Sequence, residues 1–452
     1  MNDRTPSIAP QRQYSLDRAV CSRCGCFCDD IRLRYDCDRL IEIGRACSLG
    51  ETWLRQDRSL QPSAMIAGQG VDVETAVDES ARLISCADAP TVEGFANITL
   101  EAAREAVLLA RDISAVLVPR PRPSRSFLRS GLDAPEFTAT LGKVHATADL
   151  VIFWRADPLR THPRHLERYS FFAPLLNNKP RTMIVADDFE TQGDHQTARE
   201  ATVRVDLSSV SEFQHGDRDL ILLLALLLSA KPLTHVDHKE SRAINIENAT
   251  RLARLIEQAN HTHVFLGSDV AEDQSICDAL HGLAARVRSK HHVSVSNLAT
   301  PGNAWGVQEL ITWLLGTPGP LWMAAEDAGT HTVTNDLPSE VLAPIHFGPI
   351  DRTLVDAFDL NISLGVDLPG EETNHALPTG TAPRIVLGPQ HDAAANVSFV
   401  VPGLDPRLRG TVMRNDGVPL TLCGDASLGV ADPAVEILRR LRQRVSGVGE
   451  VQ

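Results

Sequence analysis

Short, nearly all-apolar runs recur along this chain, and they constrain its fold more than any other feature. "DLVIFW" (Asp149–Trp154), "TMIVAD" (Thr182–Asp187), "HVFLG" (His263–Gly267), "LNISLG" (Leu360–Gly365) and "RIVLG" (Arg384–Gly388) are each of strand length. A strand that is apolar at successive positions has both faces buried, the condition of a parallel sheet covered by helices. Helical patterns alternate with these runs. "LEAAREAVLLARD" (Leu100–Asp112) is amphipathic and lies between the strand-like "TVEGF" (Thr91–Phe95) and "SAVLVP" (Ser114–Pro119), while "DLILLLALLLSA" (Asp219–Ala230) suits a buried helix. The alternation predicts an α/β chain of doubly wound parallel sheets. At 452 residues it is too long for one small core, so roughly two to four subdomains are expected. The Arg/Pro run "PRPRPSRS" (Pro119–Ser126) reads as a loop.

Charge and hydropathy exclude some partners. A net charge of −14 argues against nucleic acid or an anionic membrane surface as the main partner. No apolar run approaches the length of a membrane span, and the first residues are too polar for a signal peptide. A cytoplasmic location is therefore expected, where thiols stay reduced and close-spaced cysteines point to metal rather than to disulfides.

Six of the nine cysteines lie between Cys21 and Cys47. Cys21, Cys24 and Cys28 have the spacing C-x2-C-x3-C, and Cys47 is the candidate fourth ligand. Four thiolates so placed can hold a 4Fe–4S cluster or a structural zinc ion. The intervening "DDIRLRYDCDRLIEIGRA" (Asp29–Ala46) alternates like a hairpin, which would carry Cys47 back to the other three. Cys26 and Cys37 are spare on this count. The plainer alternative is that the thiols pack as small hydrophobes without metal.

Several blocks resemble a known family. "CSRCGCFCDDIRLR…ACSLGE" is similar to the opening of the B-type subunit of formylmethanofuran dehydrogenase, a member of the molybdopterin oxidoreductase superfamily. "TATLGKVHATADLVIFWRADPLRTHPRHLERYSFF" (Thr138–Phe172) and "LRGTVMRNDGVPLTL" (Leu408–Leu422) resemble later blocks of that family, and "NLATPGNAWGVQELITWLLGTP" (Asn297–Pro318) sits where it has a Gly/Asn loop and a helix. The resemblance implies a molybdopterin-oxidoreductase-like multi-domain chain. Its parts would be a cysteine-rich N-terminal subdomain (1–62), one α/β subdomain (63–145 with 345–400), a second (146–344), and a C-terminal segment (401–452) returning to the N-terminal region.

In those dehydrogenases the resemblance places a molybdenum- or tungsten-ligating cysteine between the "SAVLVP" strand and the "TATLGK" block. Here the window from Ser114 to His145 contains no cysteine. Ser124 or Ser126 would be substitutes, poor ones among Arg and Pro. After "TMIVAD" the family has a basic segment that helps hold a pterin dinucleotide, where this chain has "DDFETQGD" (Asp187–Asp194); "SLGVDLPGEETNH" (Ser363–His375) likewise places Asp367, Glu371 and Glu372 after a strand. Carboxylates there disfavour a pyrophosphate, unless these segments are simply solvated loops. In "THPRHLERY" (Thr161–Tyr169), Thr161 is read as an N-cap with His162 and His165 one turn apart on the helix it starts, able to bind an anion with Arg164 or, as favoured, to pin fold or interface. "HTH" (His261–His263) and the histidines of "KHH" (Lys290–His292) resemble no ligand motif and read as surface or core residues.

The implied function is that of a B-type subunit, no longer a redox catalyst, in a formyltransferase/hydrolase complex of tetrahydromethanopterin-linked C1 metabolism. A metal at Cys21, Cys24, Cys28 and Cys47 and no molybdopterin are expected. The partners would be A-, C- and D-type subunits and a methanofuran-like formyl carrier. Two alternatives stand beside it: an active molybdenum or tungsten dehydrogenase of the formyl carrier, and a regulatory or assembly module with structural zinc.

Overall fold

The all-apolar runs become the inner strands of two large sheets. The computed structural model describes residues 13–120, 138–176, 179–189, 195–207, 216–229, 246–271, 273–288, 291–298, 302–316, 321–322, 358–365 and 382–447. Ser124, Ser126, Asp367, Glu371 and Glu372 lie outside them.

At the N-terminus β1 (Gln13–Ala19), β2 (Ile31–Asp36) and β3 (Arg39–Gly44) form a small antiparallel sheet in that order. The mixed sheet is built from β4 (Ser63–Ile66), β5 (Gln69–Val71), β6 (Pro90–Phe95), β7 (Val116–Arg120), β13 (Leu321–Trp322), β14 (Leu360–Leu364), β15 (Arg384–Gly388) and β16 (Val397–Val400), in the order β13-β7-β6-β14-β15-β16-β4-β5. Its run from β7 to β16 is parallel, with β13, β4 and β5 added antiparallel at the edges. The second sheet contains β8 (Leu150–Trp154), β9 (Thr182–Asp187), β10 (Val203–Asp206), β11 (His261–Leu266) and β12 (His292–Asn297), ordered β10-β9-β8-β11-β12 and parallel throughout. A last ribbon pairs β17 (Thr411–Met413) with β18 (Pro419–Thr421).

Every residue of β6, β8, β14 and β16 is buried, as expected for strands covered on both faces. In the parallel sheet the winding direction reverses between β8 and β11. That is the topological switch point, beyond whose strand ends such folds place their ligands. Helices 216–228, 246–258 and 274–287 cover one face. The other face, with Val151, Phe153, Val185 and Phe265, packs against the cysteine segment, including Cys21, Cys26 and Cys28. The predicted helix at Asp219–Ala230 runs one turn earlier, Gly216–Leu228.

The mixed sheet carries helices 73–85, 100–112, 304–315 and 433–445. The first of these starts where Asp72 accepts from Thr75 N, the second where Thr99 accepts from Ala102 N. Thr99 also donates to Asp432, the cap of 433–445, at 2.6 Å, so two helix starts are fastened by one hydrogen bond. Two departures from the expected subdomain limits appear here. β13 falls within 146–344 yet pairs with β7 of the mixed sheet. Helix 433–445 lies against helices 73–85 and 100–112, while the rest of the C-terminal segment reaches the N-terminal region through Val20 N–Leu422 O and Asn415 N–Gly25 O bonds. No helix among the described residues is long and apolar enough to cross a membrane.

Candidate functional site, a cysteine cavity at the switch point

After β1 the chain turns tightly: Phe27 N donates to Cys24 O and Cys21 N to Cys28 O, at 3.2 and 2.9 Å. Phe27 adopts φ +38°, a strained value for a bulky residue. Its ring is wholly buried among Val20, Leu404, Leu408, Val412 and Leu422, and that burial is worth about 2–3 kcal/mol towards offsetting the strain. Gly25 is required at the turn, because a Cβ there would stand 1.7 Å from Asn415 Nδ2.

The β2–β3 hairpin brings Cys47 back as predicted, where it caps helix 48–54 by accepting from Gly50 N at 3.4 Å. Gly50 sits between two thiols: a Cβ on it would be 3.1 Å from Cys21 Sγ and 3.6 Å from Cys47 Sγ. Cys21, Cys24, Cys28 and Cys47 all line one cavity with about 360 Å³ of empty space, part of it open to solvent. Cys37 does not; it is exposed in the β2–β3 turn. Cys26, counted as spare from its spacing, is a correction. It is buried and lines the same cavity beside Cys24, since the tight turn points alternate residues of the "CGC" stretch to one side.

The opposite wall comes from the segment after β8, and here a second expectation is corrected. Thr161 is not an N-cap. It ends a four-residue helix, Pro158–Thr161, whose C-cap is His162, and the next helical turn, Leu166–Ser170, starts after His165. Pro163 explains the break, since it fixes φ and lacks an N–H, whereas Pro158 at the first helical position suits a helix start. His162, Pro163 and Arg164 face the thiols across the cavity. Arg164 donates to both oxygens of Asp30 at 2.8 Å, and Arg168 grips Asp29 at 2.5 Å as well as Asp30. The "CDD" and "HPRHLERY" blocks, far apart in sequence, are thus bolted into one unit by bidentate ion pairs. His165 is fully buried; its Nδ1 lies 3.5 Å from Cys26 Sγ and its Nε2 2.9 Å from Ser170 Oγ.

Electrostatically the cavity favours the neutral thiol at Cys21, Cys26 and Cys28 and the thiolate at Cys24. Burial, then Cys24, Cys28 and Cys47, push Cys21 far above an ordinary thiol; burial lifts Cys28 to about 12. A hydrogen bond from Cys26 lowers Cys24 and raises Cys26. Burial, with the Arg23 charge, lowers His162 to about 4, so its imidazole is neutral. Buried thiols and a neutral imidazole are soft donors that suit zinc or an iron–sulfur cluster, and metal loading would release the thiol protons.

Beyond the strand ends the picture differs. Asp187 and Asp188 are buried, not members of a solvated loop. Asp187 Oδ2 is 3.1 Å from His195 Nε2, and Arg155, at φ +47°, donates to Asp217 through Nε and Nη2 at 2.5 and 3.0 Å while lying 3.9 Å from Asp187. Burial works against the Arg155 charge, but Asp217 and Asp187 outweigh it and raise its pKa. Gly267, after β11, packs so closely that a Cβ would be 1.8 Å from Arg155 O. A second cavity shares Cys26 with the first and is lined also by Phe265, Ser296, Asn297, Asn415 and Asp416 among others. His261 and His263 are core residues of β11, sharing Ser294 Oγ at 2.7 Å each.

No family model matches the chain. Among curated proteins, the B subunit of tungsten-containing formylmethanofuran dehydrogenase 2 from Methanocaldococcus jannaschii is 25% identical over 456 residues, spanning 94% of this chain and 97% of that protein. The chain is similar along nearly its whole length to formylmethanofuran dehydrogenase B subunits. The counterpart of the same description in Methanococcus maripaludis is 24% identical over 432 residues, covering 89% and 92% of the two. Among solved structures, a chain of the formyltransferase/hydrolase complex (FhcABCD) from Methylorubrum extorquens, determined with methylofuran, superposes with a TM-score of 0.61 at 17% identity, over 85% of this chain and 99% of its own. Acetylene hydratase from Pelobacter acetylenicus gives 0.50 at 11% identity, over 94% and 69%. The molybdopterin-oxidoreductase-like α/β fold expected from the sequence is the fold found.

Proposed function

We propose that this chain is the B-type subunit of a formyltransferase/hydrolase complex in tetrahydromethanopterin-linked C1 metabolism, formaldehyde to formate, and that it acts there as a scaffold rather than a redox centre. The observation that carries the reading is similarity from end to end in a chain without a cysteine anywhere from Ser114 to His145, where the family resemblance puts the metal-ligating thiolate. The closed Arg155–Asp217–Asp187 network supports it. An arginine whose charge is already matched within the chain has little left to offer a pterin dinucleotide's phosphates. On this reading no molybdopterin is bound, and any metal in the N-terminal cysteine cavity is structural.

A scaffold needs surface for its partners, here A-, C- and D-type subunits, with a methanofuran-like carrier moving among them. Phe171, Phe172, Leu175 and Leu176 are 50%, 57%, 70% and 79% exposed along one short segment, an apolar cluster of the kind that marks protein contacts. The test is co-purification of the tagged chain with its neighbours in the native host, followed by elemental analysis for Mo, W, Fe and Zn. Recovery of formyltransferase and amidohydrolase-like subunits without stoichiometric Mo or W is the expected result. Near-stoichiometric Mo or W, with reduction of CO2 to the formyl carrier, overturns the scaffold reading in favour of an active dehydrogenase.

A further inference from the structure

Within the cysteine cavity three donor atoms stand apart from the rest: the Sγ atoms of Cys24 and Cys26 and a ring nitrogen of His162 all lie within 4.8 Å of one another. No other three His, Cys, Asp or Glu donors among the described residues come so close. A tetrahedral zinc ion with ordinary Zn–S and Zn–N bonds holds its donors roughly 3.5–3.8 Å apart, which small side-chain rotations reach from here. Cys21, Cys24, Cys28 and Cys47 line the same cavity, but no three of their sulfurs come within 4.8 Å of one another.

The second observation is the state of His162. Thr161 Oγ1 lies 3.1 Å from Asp157 O, to which it can donate, and 2.9 Å from His162 Nδ1. When that hydroxyl donates to Asp157 O it accepts from Nδ1–H, which leaves Nε2 the bare lone pair. Nε2 is buried, on a residue 6% exposed, and has no hydrogen-bond partner. A buried acceptor left unmatched is unfavourable by about 1–3 kcal/mol. One ring nitrogen anchored to an oxygen and the other bare is how proteins set a histidine to bind a metal.

We propose that Cys24, Cys26 and His162 bind one zinc ion, in a site distinct from the four-thiol set and sharing Cys24 with it. Binding displaces any proton still on the two thiols and leaves a neutral unit of zinc, two thiolates and one imidazole. Because Cys24 serves both sets, zinc here and a cluster on the four thiols exclude one another. The inference does not depend on the subunit's role in C1 chemistry, since it concerns only which atoms hold which metal.

The test is zinc content per chain, with zinc K-edge X-ray absorption, on the full-length chain expressed in zinc-replete medium and purified without chelator. Wild type is expected to hold close to one zinc with two sulfurs and an imidazole in its shell. Cys47→Ser keeps the ion, while Cys26→Ser and His162→Gln lose it at least tenfold, with circular dichroism confirming the fold of each. Should the substituted chains fail to fold, the wild-type spectrum decides alone. Four sulfurs with no imidazole, iron in place of zinc, no metal at all, or zinc retained in folded His162→Gln would each overturn the assignment.

Discussion

Two regions at the same end of the parallel sheet have been finished in opposite ways. Beyond β8 and β9, Arg155 bonds Asp217 and lies 3.9 Å from Asp187, so the buried charges there have opposite partners within the chain. On the cysteine side, the thiols and the unpartnered His162 Nε2 face one another across a cavity that Arg23 and Arg164 also line. Both are buried and polar, and both lie near the switch point. The difference teaches where to expect a ligand: polarity alone does not mark a site, whereas polarity without an internal partner does.

The contrast breaks most decisively at Arg155. Arg155→Ala strands two buried carboxylates and is expected to destabilise by about 3–5 kcal/mol, read from the urea midpoint at constant slope; a loss below about 1 kcal/mol would mean the network is not closed. Acid comes next, through histidines outside both regions. Burial holds His261 at about 3 and His263 well below its ordinary value, against about 6.5 when unfolded. Their contribution is fully present above about pH 6.5 and is lost as the pH falls towards and through the folded values, by up to about 1.4 kcal/mol per pH unit for each. The thermal midpoint should fall between pH 7 and 5, and less steeply in folded His261→Gln; an unchanged slope would place the sensitivity elsewhere.

On the cavity side the effects are smaller and more local. Gly25→Ala drives a methyl into the Asn415 amide and should cost about 1–3 kcal/mol, of which Asn415→Ala in the same chain recovers part; additive losses in that double-mutant cycle would deny the contact. Smallest is Trp53→Phe. It removes the 2.9 Å bond from Nε1 to Ser22 Oγ for about 1 kcal/mol, measured by denaturant unfolding, and a loss as large as that of Arg155→Ala would erase the ranking of the two regions.

Much of the fold could be read from the residues because burial on both faces leaves an unbroken apolar run. "TMIVAD" and "RIVLG" match β9 and β15 residue for residue, and the helix at Leu100–Asp112 has the limits its pattern predicts. The hairpin that returns Cys47 was legible for the same reason, its alternation being a period-two signal. Cys26 and His162 were not, because ligand spacing is one-dimensional. Cys26 drops out of a C-x2-C-x3-C count, and His162 joins it only through a turn broken at Pro163 and a clamp of Arg164 and Arg168 on Asp29 and Asp30. The fate of Asp187 was hidden too, since a carboxylate looks the same in sequence whether water or Arg155 faces it.

Asn415 over Gly25 has a consequence in time. The cavity's floor leaves the ribosome long before the residues that press on it: Ser22 bonds to Leu404 across 382 positions, and Val20 waits for Leu422. At about 5–20 residues per second, the cysteines spend roughly 20 to 80 seconds uncovered. Whatever metal they carry is selected either in that interval, from an open thiol-bearing loop, or afterwards through a nearly finished wall.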